Sequence, residues 1–246
     1  MRSFTFPPYS PIIPSISGHS RYDGEMRRIF VTAAVMTAVA LALAKQASAH
    51  PHVWITMRSD VVFNDKAEVS SIAIEWTFDD GYAQVALDGL DTNGDGVYSQ
   101  SELEPLTQEN LKSLKDYNYF VAPRVNGKVV PIRDPLEYGQ IYSNGKLELH
   151  FTVPLAAPVD PHKAEFLYKI YDPEFFIALD YVEQDPVGIQ GDMPQGCRLE
   201  VKPVVSDQQL NQTREMLSAK GTDWKPPEDE DFGGMFAQPA LVLCGK

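Results

Sequence analysis

The sequence predicts an α+β protein: a mainly antiparallel β-sandwich of the immunoglobulin-like kind, with a helix-loop-helix inserted between strands and a helix near the C-terminus. Three observations carry this. Apolar residues alternate with period two through much of residues 53–201, turn dipeptides punctuate those runs, and residues 79–117 switch to helical spacing around a loop rich in oxygen-bearing side chains. With 43% hydrophobic and 11% aromatic residues, the chain carries enough apolar mass for a sizeable core.

Residues 1–49 read as an address, not as fold. Met26-Arg27-Arg28, the apolar run Ile29 to Ala44 and then Ala47-Ser48-Ala49 are the three zones of a secretory signal, with cleavage expected after Ala49. The run is shorter than the roughly 20 residues of a spanning helix, so no membrane insertion is expected after cleavage. Residues 1–25 precede a Met that is itself a good start, and they read as an over-extended beginning. Removing residues 1–49 takes away five Lys/Arg and two Asp/Glu, which moves the formal charge from −13 to −16. Such a field repels nucleic acid and anionic lipid and attracts cations.

In the body, residues 50–203, Val53 to Phe63 and Glu68 to Phe78 alternate and should pair as a hairpin across Asn64-Asp65. Tyr82, Val85, Ala86 and Leu90 then mark one face of a helix that Asp79 or Asp80 caps. Beyond the loop, Ser99 and Glu102 have capping-box spacing ahead of a stripe formed by Leu103, Leu106, Leu111 and Leu114; Pro105 implies a kink or a late start. Asn126-Gly127 and Asn144-Gly145 are hairpin turns, Leu147 to Val153 alternates, and Phe166 to Tyr171 and Phe175 to Val182 flank an Asp172-Pro173 turn. About eight strands joined by hairpins result. In residues 204–246, Ser206 to Ala219 reads as a helix, Lys225 to Gly234 as an acidic linker, and Leu241 to Cys244 as a return to the body. The two cysteines, Cys197 and Cys244, are expected to form a disulfide, closing a loop for roughly 4 kcal/mol by chain entropy.

The chemistry concentrates in two places. Asp91 to Glu102 spells a calcium EF-hand loop, with Asp91, Asn93, Asp95, Ser99 and Glu102 as oxygen ligands, the main-chain carbonyl of Val97 between them and Gly96 at the sharp turn. Cleavage after Ala49 would leave His50 as a free N-terminal residue, whose amine and ring can grip one metal together. His52 follows two residues on, and His150 is the strand candidate for a third nitrogen; Zn2+, Ni2+ or Cu2+ suits such ligands. His162, in the Asp160-Pro161-His162 turn, is the remaining histidine of the exported part. Nucleophile-elbow, zinc-protease, phosphate-loop and dinucleotide motifs are absent, so no enzyme class is indicated.

Ala49-His50-Pro51-His52-Val53-Trp54-Ile55, Trp76-Thr77-Phe78, Gly89-Leu90-Asp91-Thr92-Asn93-Gly94-Asp95-Gly96, Tyr171-Asp172-Pro173 and Gly196-Cys197 occur in that order. Together they resemble, over residues 49–203, an uncharacterised exported family of Gram-negative bacteria described as periplasmic components of ABC-type transport systems. Thr56 stands where that pattern has an acidic residue. The resemblance implies a periplasmic protein associated with transition-metal (nickel, cobalt or zinc) transport and an inner-membrane transporter as partner. Two alternatives stand beside it: a calcium-stabilised protein-interaction module using the 172–176 turn, and a copper enzyme with an N-terminal histidine brace.

Overall fold

The first hairpin forms as the alternation predicts. The computed structural model describes residues 52–174, 176–203 and 233–245. In it β1 (Val53–Phe63) and β2 (Val69–Phe78) pair antiparallel, from Ile55 opposite Phe78 to Val62 opposite Ser71. Ile55, Met57, Val61 and Phe63 turn inward from β1, and Ile72, Ile74, Trp76 and Phe78 from β2, all buried. Ser59 breaks the apolar series. Its hydroxyl shares hydrogen bonds with the hydroxyls of Tyr168 (2.7 Å) and Tyr181 (3.1 Å), which makes burial of a polar group tolerable.

Asp79 caps the helix α1 (Asp80–Ala86): its carboxylate accepts the N–H of Tyr82 at 3.0 Å and, across the hairpin end, that of Trp54 at 2.9 Å. A loop leads to α2 (Gln100–Lys115), which begins at Gln100, so Pro105 lies inside the helix and does not delay it. After a 3-10 turn (Asn118–Phe120) come β3 (Val121–Val125), β4 (Lys128–Val129), β5 (Tyr138–Ser143), β6 (Lys146–Val159), β7 (Phe166–Ile170), β8 (Ile177–Tyr181), β9 (Val187–Gln190), β10 (Cys197–Val201) and β11 (Ala240–Cys244). Asn126-Gly127 joins β3 to β4 and Asn144-Gly145 joins β5 to β6, each with both residues at positive φ, the geometry of a twist-matched two-residue hairpin.

Two sheets result. The first runs β5-β6-β2-β1-β8 with β9 also on β1; the second runs β10-β11-β7-β3-β4. Their apolar faces meet in one core, in which Trp76 stacks on Phe120 and meets Phe151 edge-on. The architecture is a β-sandwich with few helices.

Hairpins do not supply every connection. β1 pairs parallel with both β8 and β9, and the Asp172-Pro173 turn carries the chain from β7 in one sheet to β8 in the other. The return of Leu241 to Cys244 is more than a tether, since β11 lies between β10 and β7 and hydrogen-bonds to both. The disulfide Cys197–Cys244 joins residues directly opposite each other in β10 and β11. The signal segment, the helix expected over 206–219 and most of the acidic linker lie outside the described residues.

The crossing at Asp172 is held by one side chain. Its buried carboxylate accepts the N–H groups of Glu174 (2.9 Å), Phe176 (2.8 Å) and Ile177 (2.9 Å). Leaving such donors unpaired costs about 1–3 kcal/mol each where they stay buried. Asp172→Ala is therefore expected to lower unfolding stability in urea by roughly 1–3 kcal/mol, and Asp172→Asn, which keeps an acceptor, by clearly less.

Candidate functional site

Loop 87–99 folds on its own acidic side chains. The Asp91 carboxylate accepts the N–H of Gly94 (2.8 Å) and Asp95 (3.2 Å) on one oxygen and that of Gly96 (3.0 Å) on the other. Asn93 Oδ1 accepts from Asp95 N and Asp95 Oδ1 from Val97 N, each at 2.8 Å. Gly96 sits at φ +77°, a conformation that side chains with a Cβ resist, so the chain doubles back where the spacing demands it.

Glu102 closes the loop. One carboxylate oxygen accepts from the N–H (2.9 Å) and hydroxyl (2.7 Å) of Ser99, completing the capping box, and the other accepts from the N–H (2.8 Å) and hydroxyl (2.9 Å) of Thr92. Those bonds, Ser99's first, hold the carboxyl at about 2, well below its usual 4.5. The whole insert is seated on β5. Gln100 Nε2 donates to the Gln140 carbonyl at 2.7 Å, Thr107 Oγ1 to Gln140 Oε1 at 3.1 Å, and Tyr98 meets Tyr142 edge-on at 5.2 Å.

The donor set of Asp91, Asn93, Asp95, Ser99, Glu102 and the Val97 carbonyl is all oxygen, which suits a hard divalent cation and not zinc or copper. Asp91 Oδ2 and both Asp95 oxygens accept one hydrogen bond each and keep a lone pair for a cation, whereas Asp91 Oδ1 and both Glu102 oxygens already accept two. Glu102 now faces Thr92 and Ser99, so a cation would compete with those hydrogen bonds for it.

The histidines are not gathered. His50 lies outside the described residues. His52 is exposed at the entry to β1, its N–H donating to the Phe176 carbonyl at 2.8 Å and its ring 4.5 Å from that of Phe176. His150 is exposed on the outer face of β6, opposite Glu75 of β2, which in turn faces Arg58 of β1. Arg58 is six residues beyond His52, about 20 Å along a strand at 3.3 Å per residue. His52 and His150 therefore cannot share a metal, and the expectation that His150 supplies a third nitrogen is corrected. Its ring instead lies over Gly139 of β5, where a Cβ would come within 2.8 Å of it.

Two features escape the sequence. His162 Nε2 comes within 3.9 Å of Cys197 Sγ, although the residues are far apart in the chain. A cavity of about 220 Å³ opens between the end of the first sheet and α2, with Val53, Trp76, Phe78, Asn110, Asp172 and Phe176 among its walls. Trp76 Nε1 and Asn110 Nδ2 have no hydrogen-bond partner there, and burial raises the Asp172 carboxyl against the pull of its three backbone donors. The cavity's walls also include Tyr82 of α1, Leu149 of β6 and Phe120 of the 3-10 turn, and the parallel β1–β8 pairing brings Phe176 and Ile177 to β1.

The model of a family described as "Protein of unknown function (DUF1007)" matches residues 35–244. An uncharacterized protein of Haemophilus influenzae is 22% identical over 198 residues, covering 80% of this chain and 91% of its own length. An uncharacterized 15.5 kDa protein of Spirochaeta aurantia, described as lying in the trpE 3' region, is 28% identical over 100 residues, 41% of this chain and 71% of its own.

The depressed Glu102 carboxyl makes loop stability depend on pH. Because its folded value lies below the usual 4.5, the stability it contributes is whole above about 4.5 and is lost as pH falls through about 2. In melting curves taken without calcium from pH 6 to 2, the advantage of wild type over Glu102→Gln is expected to hold above about pH 4.5 and to shrink steadily toward the acid end.

Proposed function

We propose a function for this chain, which belongs to the DUF1007 family of proteins of unknown function: it is an exported, periplasmic metal-binding accessory protein of a transition-metal transport system, stabilised by Ca2+ in an EF-hand at Asp91 to Glu102. The observation that carries the calcium part is the loop itself. Five oxygen-bearing side chains and one carbonyl follow the EF-hand order between two helices, with Gly96 in the left-handed turn the order requires. Rigid seating on β5 makes this cation a clip for the insert and not a switch.

The transition-metal part rests on the N-terminal histidines. His52 presents an exposed ring at a fixed strand entry, and His50 would precede it as the first residue after cleavage. An amine with one or two imidazoles suits nickel, copper or zinc, and the acidic chain favours cation capture. Resemblance to periplasmic transport components supplies the partner class, an inner-membrane metal transporter.

A second reading, a calcium-stabilised interaction module with no transition metal, is favoured by Trp54, 54% exposed on the outer face of β1 beside this entry. A copper enzyme needs a third nitrogen, and the one strand candidate, His150, is too distant.

An extracellular-type EF-hand with Kd of about 10⁻⁴–10⁻³ M gains about 1.4–2.7 kcal/mol in 10 mM calcium, hence a rise in Tm of roughly 3–10 °C. Glu102→Gln is expected to abolish that rise; no rise in wild type would defeat the calcium site. Calorimetric titration with nickel, copper and zinc should show one site in protein beginning at His50 and weaker binding when one extra residue precedes it. Equal binding by both, or none, would leave the interaction module as the better account.

A further inference from the structure

His162, Cys197 and Cys244 come from three separate elements. His162 sits in the turn between β6 and β7, where its N–H donates to Asp160 Oδ1 at 3.0 Å and Asp160 pairs with Lys163 at 2.7 Å. Cys197 opens β10 and Cys244 closes β11, opposite each other in the register. The backbone beside each is tied down: Cys197 N–H donates to the Pro194 carbonyl at 3.2 Å and Gly245 N–H to the Gly196 carbonyl at 3.0 Å. One ligand atom from each of the three residues lies within 4.8 Å of the others, the one such group of three His, Cys, Asp or Glu residues among the described residues. His162 is exposed and both cysteines are partly exposed, so a reductant and an ion can reach them.

The spacing matches a tetrahedral thiolate site. Zn–S bonds of about 2.3 Å and Zn–N bonds of about 2.0 Å at the tetrahedral angle set nitrogen and sulfur about 3.6 Å apart and two sulfurs about 3.8 Å apart. His162 Nε2 and Cys197 Sγ already stand 3.9 Å apart. The two sulfurs must separate and the His162 ring must settle between them from within 4.8 Å, while the cross-strand register keeps both cysteines side by side.

We propose that His162, Cys197 and Cys244 form a thiol-gated zinc-class site, closed to metal as the disulfide and opened by a dithiol reductant. A thiolate of the dithiol attacks one protein sulfur, breaks the S–S bond and forms a mixed disulfide. The second thiol of the reductant then displaces that sulfur, so two electrons pass to the protein, the reductant leaves as its own disulfide and both cysteines become thiols. Binding of M2+ releases the two thiol protons to solvent, His162 gives a neutral ring nitrogen, and water fills the fourth position. This site is independent of the N-terminal histidines, which offer no sulfur.

The test uses Co2+, whose thiolate-to-metal charge-transfer absorption reports sulfur ligation. The full exported chain is reduced with dithiothreitol, freed of it under anaerobic conditions and titrated. One equivalent of Co2+ should bind with that absorption and be displaced by Zn2+, whereas the oxidised chain shows none. His162→Ala should weaken Co2+ binding by at least the ~10–100-fold that loss of even an outer-shell partner costs, with the charge-transfer band retained at saturation. Cys197→Ser/Cys244→Ser should abolish the band, and near-ultraviolet circular dichroism of the reduced wild type checks that the sandwich persists. No charge-transfer band in reduced wild type, whether or not it stays folded, overturns the proposal, as does unchanged affinity in His162→Ala. Cobalt binding without that band, seen also in the oxidised chain, would instead report the N-terminal histidines.

Discussion

The Asp172 carboxylate is the constraint from which much of the arrangement follows. By taking up three backbone N–H groups at the turn after β7, it lets the chain leave one sheet and enter the other without stranding buried donors. β8 then lies parallel to β1, from Val53 opposite Ile177 to Met57 opposite Tyr181, which sets Phe176 beneath His52. The strand entry, its exposed histidine and the cavity behind it all depend on this crossing. A carboxyl that burial raises is a costly choice for the task, and an amide would accept fewer N–H bonds.

At the other end of α2 a second carboxylate has the opposite environment. Glu102 joins the two ends of its loop, caps its helix and stays ionised far below the ordinary range. Hydrogen bonds among its own side chains and backbone run through the loop. Cation binding would exchange some of those bonds for metal–oxygen contacts, so the net gain is the difference between two good arrangements.

The parts of the fold written in local sequence are legible there. Period two in Val53–Phe78 and Leu147–Val153, the Asn-Gly pairs, the Asp79 cap and the Ser99–Glu102 box each depend on residues a few positions apart. The parallel pairing of β1 with β8 and β9 is not legible, because the register is fixed by a turn more than a hundred residues from β1. The same limit applies to the sites. The twelve-residue loop carries its whole ligand order in one stretch, whereas the approach of His162 to Cys197 arises only where β10, β11 and the β6–β7 turn meet. His150 misleads for the converse reason: alternation gives its face, and only the register gives its distance from His52.

β11 adds a kinetic dimension. Residues 240–244 fill an inner position of the second sheet, between β10 and β7, so β7, paired on one side with β3, finds its second partner about seventy residues further along the chain. Loop closure over that span is entropically slow, and β10 lacks its one sheet neighbour among the described residues until β11 arrives. The second sheet therefore cannot mature during synthesis of the first two hundred residues. Cys244 closes β11, so the disulfide to Cys197 becomes possible only once this last strand is made and lies in register with β10.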